Sequence, residues 1–466
     1  MKLFNTLTRQ VETIEPINAP NIGVYTCGPT VYDYAHIGHW FTYIRMDILI
    51  RALKADKLIP NWVMNITDVG HLVSDADEGE DKLEKGAKRE GKTAWEVAEF
   101  YTEDFLQCMK ELNILTPNNI VKATDHIQEQ IELIQALEQK DFIYVIDDGV
   151  YYDTSKFPGY ASFAKLDLDD LQAGARVSFN PQKRNNSDFA LWKFSPKDHK
   201  RDMEWDSPWG KGFPGWHIEC SAMSMKYLGP TIDIHTGGID HIPTHHTNEI
   251  AQSEATTGKR FANYWLHSNH VLIDGEKISK SLGNGIRLQD ITDKGISAEA
   301  VRLHILESSY RNQSKFSWDS LVAAKNRLDD LRAFAALRWQ SKEISEEQTL
   351  DIKDAPFSLI SFVTNDLDTA GALTYLSGLT NDFNSRPIDP NSREDFTDFI
   401  QTIDEVLGMR LMEIQDISDE QKAKIIRREA ARANQNWEES DKIRDELLQE
   451  SIALNDTKYG TIWLPA

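Results

Sequence analysis

Two histidines and a glycine stand at the start of a predicted helix near the N-terminus. His36 and His39 flank Gly38 in the tetrapeptide HIGH, where the loop after the first predicted strand enters the helix. Imidazoles at a helix N-terminus can face a triphosphate, and a glycine there lets a nucleotide approach the backbone. The pattern suits a nucleotide site, although such a tetrapeptide by itself is more typical of a surface or of core filling.

A second basic motif follows the last predicted strand of the α/β part. Lys277 and Lys280 lie in the pentapeptide KISKS at residues 277–281. Two ammonium groups on one loop can neutralise the charge that develops on a leaving pyrophosphate. Either motif alone is weak, since this one would otherwise indicate an exposed basic turn. Their order and their placement on these elements favour phosphate chemistry.

Four further residues have side chains that zinc accepts as ligands. Cys27 ends the first predicted strand, Cys220 lies in a later helix, and His245 and Glu249 share one helix face because they are four residues apart. The spacing contains no compact Cys-x-x-Cys pair, so by spacing alone buried apolar thiols and a solvated helix pair explain these residues better than a metal site does. Three more histidines compete for any ligand role: His235, His241 and His246.

Composition restricts the class of protein. A chain of 466 residues is too long for one ordinary core, and only three cysteines fit a reducing compartment better than a disulfide framework. No apolar run could span a bilayer and no signal peptide is evident, so we expect a cytoplasmic protein with no membrane partner. The net charge of -23 disfavours loose binding to polyanions but allows a local basic surface.

Apolar spacing predicts an α/β core followed by helices. A strand ending at Cys27, a helix over 40–54 and a strand over 61–67 form the start of a nucleotide-binding unit. Residues 75–113 are predicted to be mostly helical, with an inner face of Trp95, Ala98, Phe105, Met109 and Leu112. The α/β pattern resumes with a helix over 216–228, a strand over 231–235, a helix over 245–255 and a strand over 269–273. After residue 285 the chain is predicted to be helical, with a short glycine-containing end.

The two phosphate motifs resemble the signatures of class I aminoacyl-tRNA synthetases, with Ile278 where methionine is usual. Within that class the chain is similar to the cysteinyl-tRNA synthetase family from residue 3 to its C-terminus. The segments that carry this likeness are CGPTVYD (27–33), LQAGARV (171–177), SPWG (207–210), WHIECSAM (216–223) and NEIAQS (248–253). Two segments, 236–240 and 244–249, differ from the usual sequence of the family but keep the positions of its metal ligands.

The resemblance implies a role for each candidate residue. It implies one zinc ion per chain, held by Cys27, Cys220, His245 and Glu249, with the contribution of His241 or His246 left open. It also implies an amino-acid pocket lined by Thr67 and Trp216, and magnesium bound with ATP. Catalysis would fall to His36, His39, Lys277 and Lys280, and ATP would contact these four together with Gly38 and Asp240.

The resemblance also implies a domain order and a set of partners. We expect a Rossmann-like parallel-sheet catalytic core at 1–118 and 207–275 with a connective insertion at 119–206. A signature-loop and stem-contact region at 276–330, a helical bundle at 331–420 and an anticodon-binding tail at 421–466 would follow. The expected partners are ATP, L-cysteine and tRNA(Cys), and the expected state is a monomer. Basic residues with Trp437 make the tail suitable for phosphates and unstacked bases.

Two other functions remain open from the residues. A cysteine ligase that attaches cysteine to an amino sugar in mycothiol synthesis would share the zinc pocket and the adenylating core, but would lack the full tail. A non-catalytic tRNA-binding or cysteine-sensing protein would have no need for both phosphate motifs. Cysteine-dependent ATP–pyrophosphate exchange separates these functions.

Overall fold

The structure is a computed structural model that describes residues 1–70, 81–165, 180–196, 200–278, 284–342, 352–383, 388–457 and 459–465. Its N-terminal part combines a hairpin, three strands of a parallel sheet and three helices. In chain order these are β1 (Lys2–Asn5), β2 (Gln10–Thr13), β3 (Asn21–Thr26), α1 (Ile37–Ala55), β4 (Ile59–Ile66), α2 (Lys82–Glu90), α3 (Ala94–Glu111) and β5 (Asn119–Lys122).

The middle of the chain holds an antiparallel sheet and then a return to the parallel one. The elements are α4 (Ile127–Gln139), β6 (Ile143–Ile146), β7 (Gly149–Tyr152), β8 (Phe189–Phe194), β9 (Gly212–Pro214), α5 (Trp216–Leu228), β10 (Ile232–Gly238), α6 (Thr247–Thr257) and β11 (Ala262–Ser268). A 3₁₀ turn over Ile239–His241 and a π-helical turn over Ile242–His246 lead from β10 into α6.

The C-terminal part is mainly helical. Three short strands, β12 (Val271–Ile273), β13 (Glu276–Lys277) and β14 (Ser314–Phe316), enclose helices α7 (Leu288–Thr292) and α8 (Ala298–Leu306). The remaining elements are α9 (Trp318–Ala336), α10 (Ala355–Val363), α11 (Thr369–Phe383), α12 (Arg393–Leu407), α13 (Asp419–Ala433), α14 (Trp437–Gln449), β15 (Ile452–Thr457) and β16 (Gly460–Pro465).

Five parallel strands form the central sheet in the order β11-β10-β3-β4-β5. The chain runs outward from β3 through β4 to β5 and later returns on the other side of β3 as β10 and β11. This reversal places a topological switch point between β3 and β10, where Tyr25 is the partner of His235 and Thr26 of Thr236. Open α/β sheets bind ligands at the carboxyl ends of the strands at such a point.

A separate sheet is built from the residues between β5 and α5. Its four strands are antiparallel in the order β6-β7-β8-β9. Helix α4 packs against α5 and α6, so this unit lies against the helices that follow it in the chain. Segment 171–177, which carries part of the family resemblance, lies outside the described residues.

A buried ion cluster joins helix α1 to the C-terminal helices. Asp47 of α1 pairs with Arg51 at 2.7 Å and with Arg302 of α8, and all three side chains are buried. Both guanidiniums also donate to backbone oxygens at the end of α12: Arg51 to Asp404 at 3.0 Å and Arg302 to Leu407 at 2.6 Å. The helix that begins at the histidine motif is therefore fixed to the helical part of the molecule.

The last two helices and the β15–β16 hairpin form a small unit with its own apolar cluster, which includes Ile443, Leu447 and Trp463. The Gln340 amide ties it to the rest of the chain, donating to the Trp463 oxygen at 2.9 Å and accepting from the Trp463 N–H at 2.8 Å. Among the described helices, none has the length and apolar character that crossing a membrane requires.

Two sequence predictions were wrong in detail. Trp95 does not belong to the inner face of α3, because it is 46% exposed. The other predicted residues of that face are buried, and Val97 and Tyr101 join them. The strand predicted at 269–273 begins only at Val271 and pairs with β13 and β14 rather than with the central sheet. On the β10 side the central sheet ends with β11, which the prediction missed because polar residues interrupt its apolar pattern.

Candidate active site

His36 and His39 fix each other at the first turn of α1. His36 Nδ1 accepts from the Gly38 N–H at 3.2 Å, and His39 Nδ1 accepts from the His36 N–H at 3.1 Å. This reciprocal capping holds the two rings 3.9 Å apart. Because both Nδ1 atoms are acceptors, a neutral ring carries its hydrogen on Nε2 and can donate from there. A Cβ at residue 38 would lie 2.8 Å from Ile278 Cδ1 and 3.0 Å from His36 Cε1, so a larger residue there would displace a neighbouring side chain.

A cavity of about 490 Å³ opens at the switch point of the central sheet. It extends from the start of α1 to the ends of β4 and β10 and to the first turn of α5. Its walls include most of the residues that the sequence singled out: Cys27, His36, Gly38, His39, Thr67, Trp216, Cys220, Asp240 and His245. The structure thus brings together at one cavity the histidine motif, the two residues expected to line an amino-acid pocket, and three of the four metal candidates.

The four metal candidates converge although they come from three separate parts of the chain. One ligand atom from each of Cys27, Cys220, His245 and Glu249 lies within 4.8 Å of the other three, and all four residues are buried. The π-helical turn before α6 carries His245, while Glu249 lies in the first turn of α6 itself. Two sulfurs, one imidazole and one carboxylate at such separations match a tetrahedral zinc site.

Glu249 supplies the observation that tests whether a cation fits. Its two oxygens lie 2.6 Å from His235 Nε2 and 2.8 Å from His245 Nε2, yet neither contact has hydrogen-bond geometry among the described residues. A completely buried carboxylate whose lone pairs lack well-directed donors suits a metal ion. The residues therefore fit zinc.

Electrostatics at the cluster favour the metal-binding form at two of the four candidates, Glu249 and Cys220. Burial would raise the pKa of Glu249, but His235 and His245 lower it well below its usual range. Burial likewise opposes the charge of Cys220, yet a hydrogen bond from Cys27 and the positive His245 ring lower its pKa. Burial instead dominates at Cys27 and raises the pKa of its thiol. A bound cation would reverse that preference.

Other histidines line the back of the cluster. His246 Nε2 lies 3.4 Å from Cys27 Sγ, and its Nδ1 lies 2.8 Å from Nε2 of His267, whose Nδ1 contacts the Thr6 hydroxyl at 2.8 Å. Burial lowers the pKa of His246 well below its usual value, and lowers that of His241 to about 4. Two smaller sets of side chains also lie close enough together to hold a metal ion. One is Cys27 with His241 and His246, and the other is Glu249 with His235 and His246.

Thr67 and Trp216 form another wall of the cavity. The Trp216 ring packs on the His245 ring with centroids 4.2 Å apart. The Thr67 hydroxyl donates to Glu219 Oε2 at 3.0 Å and accepts from Asn65 Nδ2 at 3.1 Å. Sequence reasoning assigned no role to Asn65 or Glu219. The signal was present as polar residues within apolar runs at the end of β4 and the start of α5.

Asp240 lies directly after β10, where two glycines allow a close approach. A Cβ at Gly238 would lie 2.4 Å from Asp240 Oδ1, and one at Gly237 would lie 2.8 Å from His241 Nδ1. Lys277 ends β13 beside the cavity, but its side chain and the whole of Lys280 lie outside the described residues. Ile278, in the same motif, lines the cavity.

Comparisons with known proteins agree with this architecture. The family model described as "tRNA synthetases class I (C) catalytic domain" matches residues 13–326. In fold the chain is similar to the methionyl-tRNA synthetase of Mycobacterium tuberculosis in complex with methionyl-adenylate, at 15% identity and a TM-score of 0.60 over 84% of this chain and 92% of that one. A leucyl-tRNA synthetase of Agrobacterium radiobacter gives a TM-score of 0.60 at 13% identity over 86% and 85%.

The parallel sheet with its switch-point cavity and the matching family model define a class I aminoacyl-tRNA synthetase. Full-length relatives narrow this further. The cysteine–tRNA ligase of Treponema denticola is 42% identical over 494 residues, covering 99% of each chain. Cysteine–tRNA ligase 1 of Burkholderia lata is 44% identical over 465 residues, covering 99% of this chain and 96% of that protein. The chain belongs to the cysteine–tRNA ligase family.

Proposed function

We propose that this protein charges tRNA(Cys) with L-cysteine at the expense of ATP. A carboxylate oxygen of cysteine attacks the α-phosphorus of ATP, the bond from that phosphorus to the bridging oxygen breaks, and pyrophosphate leaves. The 2′-hydroxyl of the terminal adenosine then attacks the carbonyl carbon of cysteinyl-adenylate, loses its proton and releases AMP. One observation carries the proposal: three of the four candidate metal ligands and the helix N-terminus with His36 and His39 line the same cavity.

His36 and His39 would bind the phosphates of ATP through their Nε2–H groups, and Gly38 would leave room for the nucleotide beside them. Asp240 would serve the nucleoside end, because it follows β10 at the same edge of the sheet. Lys277 and Lys280 would neutralise the departing pyrophosphate together with magnesium. No side-chain nucleophile is needed, since positioning and charge stabilisation supply the catalysis.

Cys27, Cys220, His245 and Glu249 would hold one zinc ion per chain. A bound zinc ion lowers the pKa of a thiol that it ligates, whereas the hydroxyl of serine stays protonated and alanine offers no ligand. An apolar pocket alone discriminates a methylene-sized difference by only about 1 to 3 kcal/mol. Trp216 would contribute by packing against His245 and closing the pocket above the ligands.

The C-terminal unit would bind the anticodon of tRNA. Arg428 and Arg432 of α13 pair with Asp456 of the β15–β16 hairpin at 2.7 and 2.9 Å, and Arg432 lies over the Trp437 ring at 5.8 Å. Trp437 is 56% exposed, so an unstacked base can pack on its ring. The wider expectations are a monomer that acts in the cytoplasm.

Two linked measurements test the function. Cysteine-dependent ATP–pyrophosphate exchange reports activation, and attachment of labelled cysteine to tRNA reports transfer. We expect both activities from the full chain. Exchange without charging of any tRNA would favour the amino-sugar ligase, and a protein that supports neither step with zinc bound would favour a non-catalytic binder.

A further inference from the structure

Glu219 is a completely buried carboxylate beside the substrate cavity. It lies in the first turn of α5, between Trp216 and Cys220, which both line that cavity. Glu219 itself does not line the cavity, and its Oε2 accepts a hydrogen bond from the hydroxyl of Thr67, which does. Glu219 can therefore act on a substrate through Thr67.

The hydrogen bonds of Thr67 determine what its oxygen can offer to the cavity. A hydroxyl has one hydrogen and two lone pairs. Here the hydrogen goes to Glu219, and one lone pair accepts from Asn65 Nδ2. The remaining lone pair makes the Thr67 oxygen an acceptor. A ligand group that meets it must therefore bring a hydrogen.

Hydrogen bonds of the backbone also fix the position of Thr67. The Thr67 N–H donates to the Pro29 backbone oxygen at 3.0 Å, and the Thr67 backbone oxygen accepts from the Val31 N–H at 3.2 Å. Asn65 Oδ1 also accepts from the Gly28 N–H at 2.8 Å, and a Cβ at Gly28 would lie 1.6 Å from the Asn65 backbone oxygen. These bonds lock the end of β4 to the loop after β3, so the orientation of the hydroxyl is preorganised.

The chemistry of free cysteine leaves one group that suits this acceptor. Its carboxylate has no hydrogen to donate, and its thiol is directed to the Cys27 and Cys220 side of the cavity by the proposed metal site. The α-ammonium group is the remaining donor, and as a charged donor it forms the stronger kind of hydrogen bond. Thr67 and the two cysteines line one cavity, so a single cysteine molecule can meet both.

We propose that Glu219 is a positioning residue for the amino group of the substrate. By taking the Thr67 hydrogen, it turns the Thr67 oxygen into an acceptor for the α-ammonium of cysteine. This inference rests on the proposed function, and it adds a recognition element for the amine to the metal site that recognises the thiol.

The test compares cysteine with a thiol acid that lacks the amine. Cysteine-dependent pyrophosphate exchange gives KM for cysteine and for ATP, and inhibition by 3-mercaptopropionate gives the affinity for the same thiol and carboxylate without the amino group. We expect Glu219→Leu and Thr67→Val each to raise KM for cysteine about tenfold or more, since each removes a hydrogen bond to a charged group. The inhibition constant of 3-mercaptopropionate and KM for ATP should not change.

Two further variants separate positioning from general damage. Glu219→Gln keeps an acceptor oxygen and should restore most of the affinity lost in Glu219→Leu. Ser224→Ala, a buried change on the same helix, should leave KM for cysteine and the inhibition constant unchanged. The double variant Glu219→Leu with Thr67→Val should be no worse than Thr67→Val alone, because the two residues act as one unit.

The possible failures are distinguishable. If KM for cysteine and the inhibition constant of 3-mercaptopropionate rise together, or if Glu219→Leu leaves KM for cysteine unchanged, Glu219 does not act on the amino group. Zinc content measured on each variant shows whether the neighbouring Cys220 was disturbed, and a loss of zinc in Glu219→Leu with full retention in Thr67→Val would also overturn the inference. Absence of exchange in the unaltered protein would instead overturn the proposed function.

Discussion

At the scale of single residues, two buried imidazoles hold Glu249 in its charged form. Burial would raise its pKa, but His235 and His245 lower it well below its usual range. The same carboxylate in turn raises the pKa of His245 to about 10 against the effect of burial. Burying charged groups in this way destabilises the folded protein unless further interactions offset the loss of hydration. A bound cation would let His245 act as a neutral ligand.

The proposed ligands therefore predict the metal content of variants. Cys220→Ser and Glu249→Gln should each lower zinc below stoichiometry and weaken cysteine binding, while ATP binding persists because the phosphate motif is intact. Atomic spectroscopy of the purified protein gives the zinc content. Cys108→Ser is the matched control, since this half-buried third cysteine lies away from the cluster and should keep full zinc. Full zinc in both ligand variants would move the site to the other histidines.

A prediction about phosphate chemistry belongs to the same scale. Lys280→Ala should reduce the rate of cysteine-dependent pyrophosphate exchange by about a hundredfold or more, the effect of removing one preorganised donor to developing charge. Zinc content and the unfolding midpoint should stay as in the unaltered protein. An unchanged exchange rate in this variant would show that the second lysine of the motif does not act on the phosphates.

At the scale of elements, helix α1 links the histidine motif to the helical part of the chain. Burial alone would raise the pKa of Asp47, but Arg302 and Arg51 lower it. A lowered folded-state pKa means that the stabilisation is present above the unfolded value of about 3.9 and is lost as the pH falls through the folded-state value. The ion pairs of Asp47 that connect α1, α8 and α12 should therefore stabilise the fold at neutral pH and lose this effect in acid.

Asp47→Asn tests the contribution of these ion pairs. The change leaves two buried guanidiniums without their carboxylate and should lower the free energy of unfolding by about 3 to 5 kcal/mol at pH 7. The difference from the unaltered protein should shrink as the pH falls below about 4. Urea unfolding at both pH values measures it, with Asp330→Asn on the exposed face of α9 as the control. A difference that stays constant with pH would contradict the assigned role of Asp47.

The elements also show what sequence could predict. The apolar spacing located α1 and gave α5 with its observed bounds, because buried periodicity dominates there. The convergence of Cys27, Cys220, His245 and Glu249 could not be derived from spacing, since the ligands are far apart in the chain and only the family resemblance implied them. Glu219 was missed because a glutamate in a helix is ordinarily solvated, and its position within an apolar run is a weak signal of burial.

At the scale of the whole molecule, the proposed function assigns activation and tRNA binding to different parts of the chain. The cavity lies at the central parallel sheet, whereas Trp437 lies in the C-terminal unit that packs on the end of α9. On the proposed function, activation of cysteine would require the cavity alone, and charging would also require the C-terminal unit.

Trp437→Ala should therefore separate the two steps. We expect weaker tRNA binding by about 1 to 3 kcal/mol, the usual effect of losing one base–aromatic stack, with unchanged pyrophosphate exchange. Binding of tRNA to the unaltered protein should also weaken as salt increases, because phosphate contacts release counterions. Phe357→Ala, at a side chain that is 77% exposed on α10, is the control for a lost surface aromatic. Equal tRNA affinity in both variants would remove Trp437 from the interface.

Selectivity between cysteine and serine in ATP–pyrophosphate exchange tests the central claim most directly, because it asks at once whether the cavity activates an amino acid and whether its ligand set chooses the thiol. The full-length protein with zinc bound should catalyse exchange with cysteine and give no measurable exchange with serine or alanine. Removal of zinc by a chelator should abolish the exchange, and added zinc should restore it. Exchange supported equally by serine, or cysteine-dependent exchange that persists without metal, would contradict the assignment of Cys27, Cys220, His245 and Glu249 as the selective site.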